Sequence, residues 1–312
     1  MSVTLSHDPL WPRAGGWPSI DELHDAGVFD LAIVGVPAHA TSLSPTNAHA
    51  TPAAVRDALR RYSATIVPDR SAPSELRSFA SELGNVVDFG DVVEPDSPDG
   101  EARTIATLAR MRERAEVALA IGGDNSITVA SALGAFGSNL ESAGLITLDA
   151  HYDLRDGVSN GSPVRRLVEA GLDPRRIVQI GIADFANSAH YAHRAAEWGI
   201  TVVHLDELRR RPITDVMAEA LDVAGAAGGP IHLDIDVDVC DRSVAPGCPA
   251  SIPGGLQAWE LRALVRRASQ DGRLVSVDIA EVDATADSAD GRTVRLAALC
   301  VLETLAGISE RS

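Results

Sequence analysis

The chain has 312 residues, 45% of them hydrophobic, a mean hydropathy of +0.04 and a formal net charge of −17. That length suits one large α/β domain or two smaller ones, and the negative charge argues against nucleic acid or an anionic membrane surface as partner. All 27 basic residues are arginine; without lysine, neither a Walker-type phosphate loop nor a Schiff-base mechanism is open to the chain.

Taken in chain order, short apolar runs at 29–36, 86–92, 117–123, 144–150, 176–182, 201–205, 231–238 and 273–283 read as strands. Amphipathic stretches, among them 51–62, 101–115 and 256–270, lie between most of them. Several runs are apolar almost throughout, as in strands covered on both faces, so the alternation predicts a parallel sheet between helical layers. No linker or repeat divides the chain, which is read as one domain over 1–312. The apolar runs fall short of the ~20 residues that span a bilayer. The N-terminal stretch lacks the basic start and apolar core of a signal peptide. Three cysteines at no metal spacing suggest reduced thiols, and the expected location is cytoplasmic.

In such sheets ligands bind beyond the carboxyl ends of the strands. One strand closes with Asp149, His151 and Asp153; another closes with Asp236 and Asp238. In extended chain, residues two apart share a face at roughly 6.5 Å. Asp234, Asp236 and Asp238 therefore span about 13 Å and cannot all hold one ion, although two ions roughly 3.5–4 Å apart can engage two of them. A lone Asp-x-Asp is as readily a solvated loop. Asp-x-His-x-Asp together with Asp-x-Asp, each closing an apolar strand, calls for cations, and so oxygen-rich a donor set suits Mn²⁺ or Mg²⁺ better than Zn²⁺ or copper.

Four blocks, GGDNS (122–126), DAHYD (149–153), DVDVCDRSVAPG (236–247) and SVDIAEVD (276–283), resemble the signatures of the ureohydrolase family of arginases, agmatinases and formimidoylglutamases. The resemblance covers roughly residues 30 to 308. It implies a three-layer α/β/α fold with an eight-stranded, mostly parallel sheet, a binuclear manganese site, and a homo-oligomer, trimeric or hexameric. By the same resemblance Asp149 and Asp236 bridge the two ions, His151 and Asp238 complete one site, and Asp153 with Asn125 the other. Glu281 then holds the amidine-like cation of the substrate, water activated between the ions attacks the C=N carbon, and Asp153 carries a proton to the leaving nitrogen. Asp234, two residues deeper, is expected to support the ligands by hydrogen bonding, and Asp241 to organise the turn.

Two positions depart from the family pattern. Asn125 stands where a histidine ligand is usual, which predicts one weakly held ion. Asn160 replaces a proton-shuttling histidine and is placed among the substrate contacts. Arg155, two residues beyond Asp153, is the candidate carboxylate binder, whereas Arg165, Arg166 and Arg295 are read as structural pairs. The DAHxDLR form, the Asn-Gly-Ser-Pro turn and the Arg-Thr-x-Arg-Leu-Ala segment look most like formimidoylglutamases of histidine breakdown. The function this implies is hydrolysis of N-formimidoyl-L-glutamate to L-glutamate and formamide. A urea-releasing guanidine hydrolase and a metal-depleted, non-enzymatic relative are the alternatives. His190 and His193 are read as surface residues, His39 as a candidate at the mouth of the site, His232 as core or support, and Cys240 and Cys248 as thiols near a ligand.

Overall fold

The computed structural model describes residues 8–23, 27–63, 65–66, 81–82 and 84–311; residues 1–7, part of the stretch read against a signal peptide, lie outside them. Among the described residues there are ten strands: β1 (Phe29–Val36), β2 (Thr65–Ile66), β3 (Ser81–Glu82), β4 (Val86–Asp91), β5 (Ala115–Gly122), β6 (Gly144–Leu148), β7 (Ile177–Ile182), β8 (Thr201–His204), β9 (Ile231–Asp236) and β10 (Leu274–Ala280). Short β2 and β3 form a separate antiparallel pair; the other eight make one sheet in the order β4-β1-β5-β10-β9-β6-β7-β8. Every pairing in it is parallel. All eight are strands read from the sequence.

Alternate side chains of the central strands feed two cores, as period-two geometry requires. Leu31, Ile33, Leu119 and Leu233 pack with α1 (Thr51–Leu59), α7 (Ile213–Ala224), α8 (Ala258–Ser269) and α9 (Arg292–Ile308). On the other face Ala32, Val34, Ala118 and Leu145 pack with α2 (Gly100–Arg112), α3 (Ile127–Phe136) and α4 (Pro163–Ala170). Two further helices, α5 (Ala189–Trp198) and α6 (Leu205–Leu208), flank β8. Among the described residues no helix is long and apolar enough to cross a membrane.

What positions the site is the sheet order. The strands carrying the four signature blocks, β5, β10, β9 and β6, are the four central neighbours, with ends held level by register (Ile121 beside Ile279, Ala280 beside Asp236, Leu148 beside Ile235). All four of these strands end earlier than the sequence reading placed them, at Gly122, Leu148, Asp236 and Ala280. The ligand candidates beyond them consequently lie in turns.

Candidate metal centre and active site

Those turns, rather than an extended chain, make the acidic groups converge. Asp149 Oδ1 accepts from the His151 backbone N–H at 2.6 Å, folding the chain back just after β6. Asp236 Oδ1 accepts from Asp238 N–H at 2.8 Å and caps a 3-10 turn over Val237–Val239. Asp236 does close extended strand, as expected, but the expectation that Asp238 projects from it is corrected here. His151 Nδ1 lies 2.7 Å from Asp238 Oδ2 and 3.4 Å from Asp149 Oδ1, and Ala150 N–H donates to Asp238 Oδ1 at 3.1 Å. The ligand atoms of Asp149, His151 and Asp238 all lie within 4.8 Å of one another. Asp153 and Glu281 both adopt left-handed backbone, φ +53° and +61°, which is uncommon for non-glycine residues and frequent at functional sites.

The electrostatics ask for a cation. Asp149, Asp153, Asp236, Asp238 and Glu281 are buried together, and Asp149 Oδ2 has no hydrogen-bond partner. Burial first, and neighbouring carboxylates second, push Asp149 and Asp236 well above the usual carboxylate range. Burial likewise raises Asp153 to about 7, despite the opposing charge of His151. Burial alone would lower His151, but the charge of Asp238 and its hydrogen bond carry the imidazole up to about 10. Buried anions in this number are costly unless paired or bound to metal, and a hard, oxygen-rich set with one imidazole suits Mn²⁺. The residues fit a divalent metal centre.

Asn125 sits just before α3. Its Nδ2 donates to Asp153 Oδ2 at 2.7 Å, while its Oδ1 accepts from Thr128 Oγ at 3.0 Å. In this arrangement it steadies Asp153, and its oxygen is shared with the Thr128 hydroxyl. Glu281 Oε1 accepts from Asn125 N–H at 2.9 Å and from Asn160 Nδ2 at 2.8 Å. Burial raises Glu281 to about 7 against those two hydrogen bonds. Asn160 Oδ1 in turn accepts from Leu43 N–H at 3.0 Å, tying Glu281 to the loop after β1.

A cleft of about 380 Å³ opens over this cluster, lined by His151, Asp153, Arg155, Asn160, Asp236 and Glu281 among others. Arg155 is exposed and has no ion pair among the described residues; its stem lies over Gly161, where an added Cβ would fall 2.7 Å from Arg155 Cδ. Arg165 is bound to Glu169 at 2.5 Å and Arg166 to Glu101 at 2.8 Å, so both are structural. Arg295 departs from the expected pairing: it has no ion pair among the described residues, and its charge acts on Tyr62.

Other expectations resolve plainly. His39 is not among the residues lining this cleft; it lies 3.1 Å from Asp96 and packs at a tilt against the His49 ring, centroids 4.5 Å apart. His190 and His193 are exposed on α5, and Asp241 accepts from the backbone N–H groups of Ser243 and Gly254 at 2.8 and 2.6 Å. Burial pushes the Cys240 and Cys248 thiols well above their ordinary value, so neither is a reactive thiolate. For Asp234 the expected hydrogen bonds are missing: it is wholly buried and neither carboxylate oxygen has a partner. Sequence reasoning missed Asn187, which accepts from Tyr152 N–H at 3.1 Å and donates to Ala150 O at 2.8 Å, clamping the ligand turn. Its only sequence signal is its place shortly after β7. Thr128 was missed as well, and its one sign was a hydroxyl three residues after Asn125.

This fold and centre have a known home. A model of the arginase family matches residues 29–307, and the chain belongs to that family; it is a hydrolase acting on C–N bonds. Within the family the formimidoylglutamase of Halalkalibacterium halodurans is 32% identical, covering 89% of this chain and 86% of its own. The solved formimidoylglutamase of Bacillus subtilis superposes with a TM-score of 0.85 at 28% identity, covering 100% and 96%. A guanidinopropionase of Pseudomonas aeruginosa is 31% identical over 96% of this chain and 94% of its own.

Proposed function

We propose that this chain hydrolyses N-formimidoyl-L-glutamate to L-glutamate and formamide with Mn²⁺ bound at the acidic cluster. The observation that carries the substrate assignment is Arg155, a guanidinium with no ion pair among the described residues, in the same cleft as Glu281 and the ligand cluster. An amidine substrate bearing carboxylates matches that pair of opposite charges. Asp149 and Asp236 would lie between two ions, His151 and Asp238 on one, Asp153 and the Asn125 side on the other, with the latter ion held less tightly. Bound there, the metal would supply Lewis acidity and lower the pKa of water in the cleft. Glu281 accepts the amidinium N–H groups and so turns the C=N carbon toward the cluster, while Asn160 and the Asn125 backbone hold Glu281 in that pose. Arg155 anchors the far end of the substrate. Asp153, held by Asn125, is positioned to pass a proton to the leaving nitrogen. The same reading takes the chain as a cytoplasmic homo-oligomer, a trimer or hexamer, that binds neither nucleic acid nor membrane.

The guanidinopropionase likeness favours a second reading, a urea-releasing guanidino-acid hydrolase. Measuring kcat/KM for N-formimidoyl-L-glutamate, 3-guanidinopropionate, agmatine and L-arginine with Mn²⁺ present separates them. The first substrate should exceed the others by more than tenfold, and faster urea release from any guanidine would overturn the assignment.

A further inference from the structure

Beneath the ligand turns the sheet carries a second polar row, on the face toward α3. Register sets Thr147 of β6, Asp234 of β9 and Asp278 of β10 side by side, with His232 and Ser276 one row deeper. His232 lies with Nδ1 2.7 Å from Ser276 Oγ and Nε2 3.1 Å from Asp278 Oδ2, so Asp278 has a partner. Asp234 has none: both of its oxygens are buried without a hydrogen-bond partner, as is Thr147 Oγ beside it. Its charge reaches upward, adding to the field at Asp149 and Asp236, and it faces Asp153 and the Asn125 amide. A carboxylate left this way in a dry interior costs several kcal/mol unless a proton or a cation compensates it.

Building on the metal reading above, we propose that Asp234 is an additional ligand, supplying a carboxylate oxygen to the ion held by Asp149, Asp153 and Asp236. Two observations converge on it. Asn125, on that side of the centre, turns its amide N–H to Asp153 and shares its oxygen with Thr128, so what it offers the ion is a neutral oxygen already hydrogen-bonded. Asp234 is the buried oxygen donor on that side: among the described residues neither of its oxygens has a hydrogen-bond partner at bonding distance, and the neighbouring Asp278 is engaged by His232. The chain order agrees: Asp234 within the strand on the first ion, Asp236 at its end between the two, and Asp238 in the 3-10 turn with His151 on the second. The carboxylate then supplies the charge that the neutral Asn125 amide lacks.

The test is metal binding, read without turnover. Metal-stripped wild type, titrated with Mn²⁺ by calorimetry and followed by electron paramagnetic resonance, should take up two ions and develop a spin-coupled pair signal. Asp234→Asn preserves shape and removes charge; it should keep one ion at unchanged affinity, weaken the other by about 100-fold or more, beyond the usual effect of a supporting group, and lose the coupled signal. Asp234→Asn/Asn125→His should recover the second ion to within about tenfold, because an imidazole fills the vacated coordination position. Two ions bound by Asp234→Asn as tightly as by wild type would overturn the proposal and assign the carboxylate a shared proton with Asp278 instead. A wild type binding a single ion would overturn it too, whereas failure of the amidine assay with two ions bound would count against the substrate reading alone. Independently of any variant, anomalous density from Mn²⁺-soaked crystals should place an ion at ligand distance, about 2–2.5 Å, from an Asp234 oxygen; an ion beyond hydrogen-bonding reach of it contradicts the proposal.

Discussion

Replacing Arg155 by alanine removes the one cation assigned to the substrate's carboxylates without touching the ligand cluster. A hydrogen-bonded pair with a charged partner contributes about 1.5–3 kcal/mol. Arg155 is exposed at the cleft rim, and solvent screens such a pair, so the lower half of that range, about 1.5–2 kcal/mol, is the expected loss. At about 1.36 kcal/mol per decade this is a fall of roughly 10–30-fold in kcat/KM. Because the contact is made equally in ground and transition states, the loss should fall on KM, with kcat within about threefold of wild type. Arg155→Lys keeps a point charge but not the planar fork and should fall between the two. Steady-state formamide release over a range of N-formimidoyl-L-glutamate concentrations, at fixed Mn²⁺ and pH, measures both constants. An unchanged KM, or a collapse of kcat with Mn²⁺ content intact, would refute the anchoring role.

Asp149→Ala and Asp236→Ala should each abolish turnover and strip the protein to less than one Mn²⁺ per chain by elemental analysis, since each position is assigned to both ions; either variant retaining two ions contradicts that. Gly161→Ala places a Cβ 2.7 Å from Arg155 Cδ, so it should displace that side chain and raise KM several-fold while Mn²⁺ content stays at the wild-type level; a normal KM would show that Arg155 has room to yield. Glu281 is raised from its ordinary 4.5 to about 7 by burial in the metal-free fold. A raised value in the folded state means the fold keeps a proton that the unfolded chain releases, so this stabilisation is present below about pH 4.5 and is lost as pH rises through about 7. Metal-free wild type should therefore lose more in Tm between pH 4.5 and 7 than metal-free Glu281→Gln, and equal slopes would dismiss the effect.

The eight sheet strands were legible because their apolar runs are nearly unbroken, a direct consequence of burial on both faces by α1, α7, α8 and α9 on one side and α2 to α4 on the other. Strand ends were less so. Asp236 and Asp238 fit an alternating strand pattern, yet the Asp236 carboxylate captures the Asp238 N–H and coils the chain into a 3-10 turn. Local capture of this kind competes with the ladder and leaves no periodic trace. Glu281 was read as a site residue, but nothing in SVDIAEVD announces its backbone at φ +61°. The orientation of Asn125 depends on Thr128 and Asp153, and the isolation of Asp234 depends on strands β6 and β10 lying either side of β9. Both are facts of three-dimensional neighbourhood, invisible to spacing along the chain.

The central claim is cleavage of a carboxylate-bearing formimidoyl group between its carbon and the glutamate nitrogen. Carbon-13 NMR of N-[¹³C]formimidoyl-L-glutamate incubated with Mn²⁺-loaded protein reads that bond directly. The account predicts that label moves into formamide, with one L-glutamate released per formamide and no free ammonia. Label retained in N-formyl-L-glutamate with stoichiometric ammonia, or no conversion by protein carrying two Mn²⁺ per chain, would contradict it.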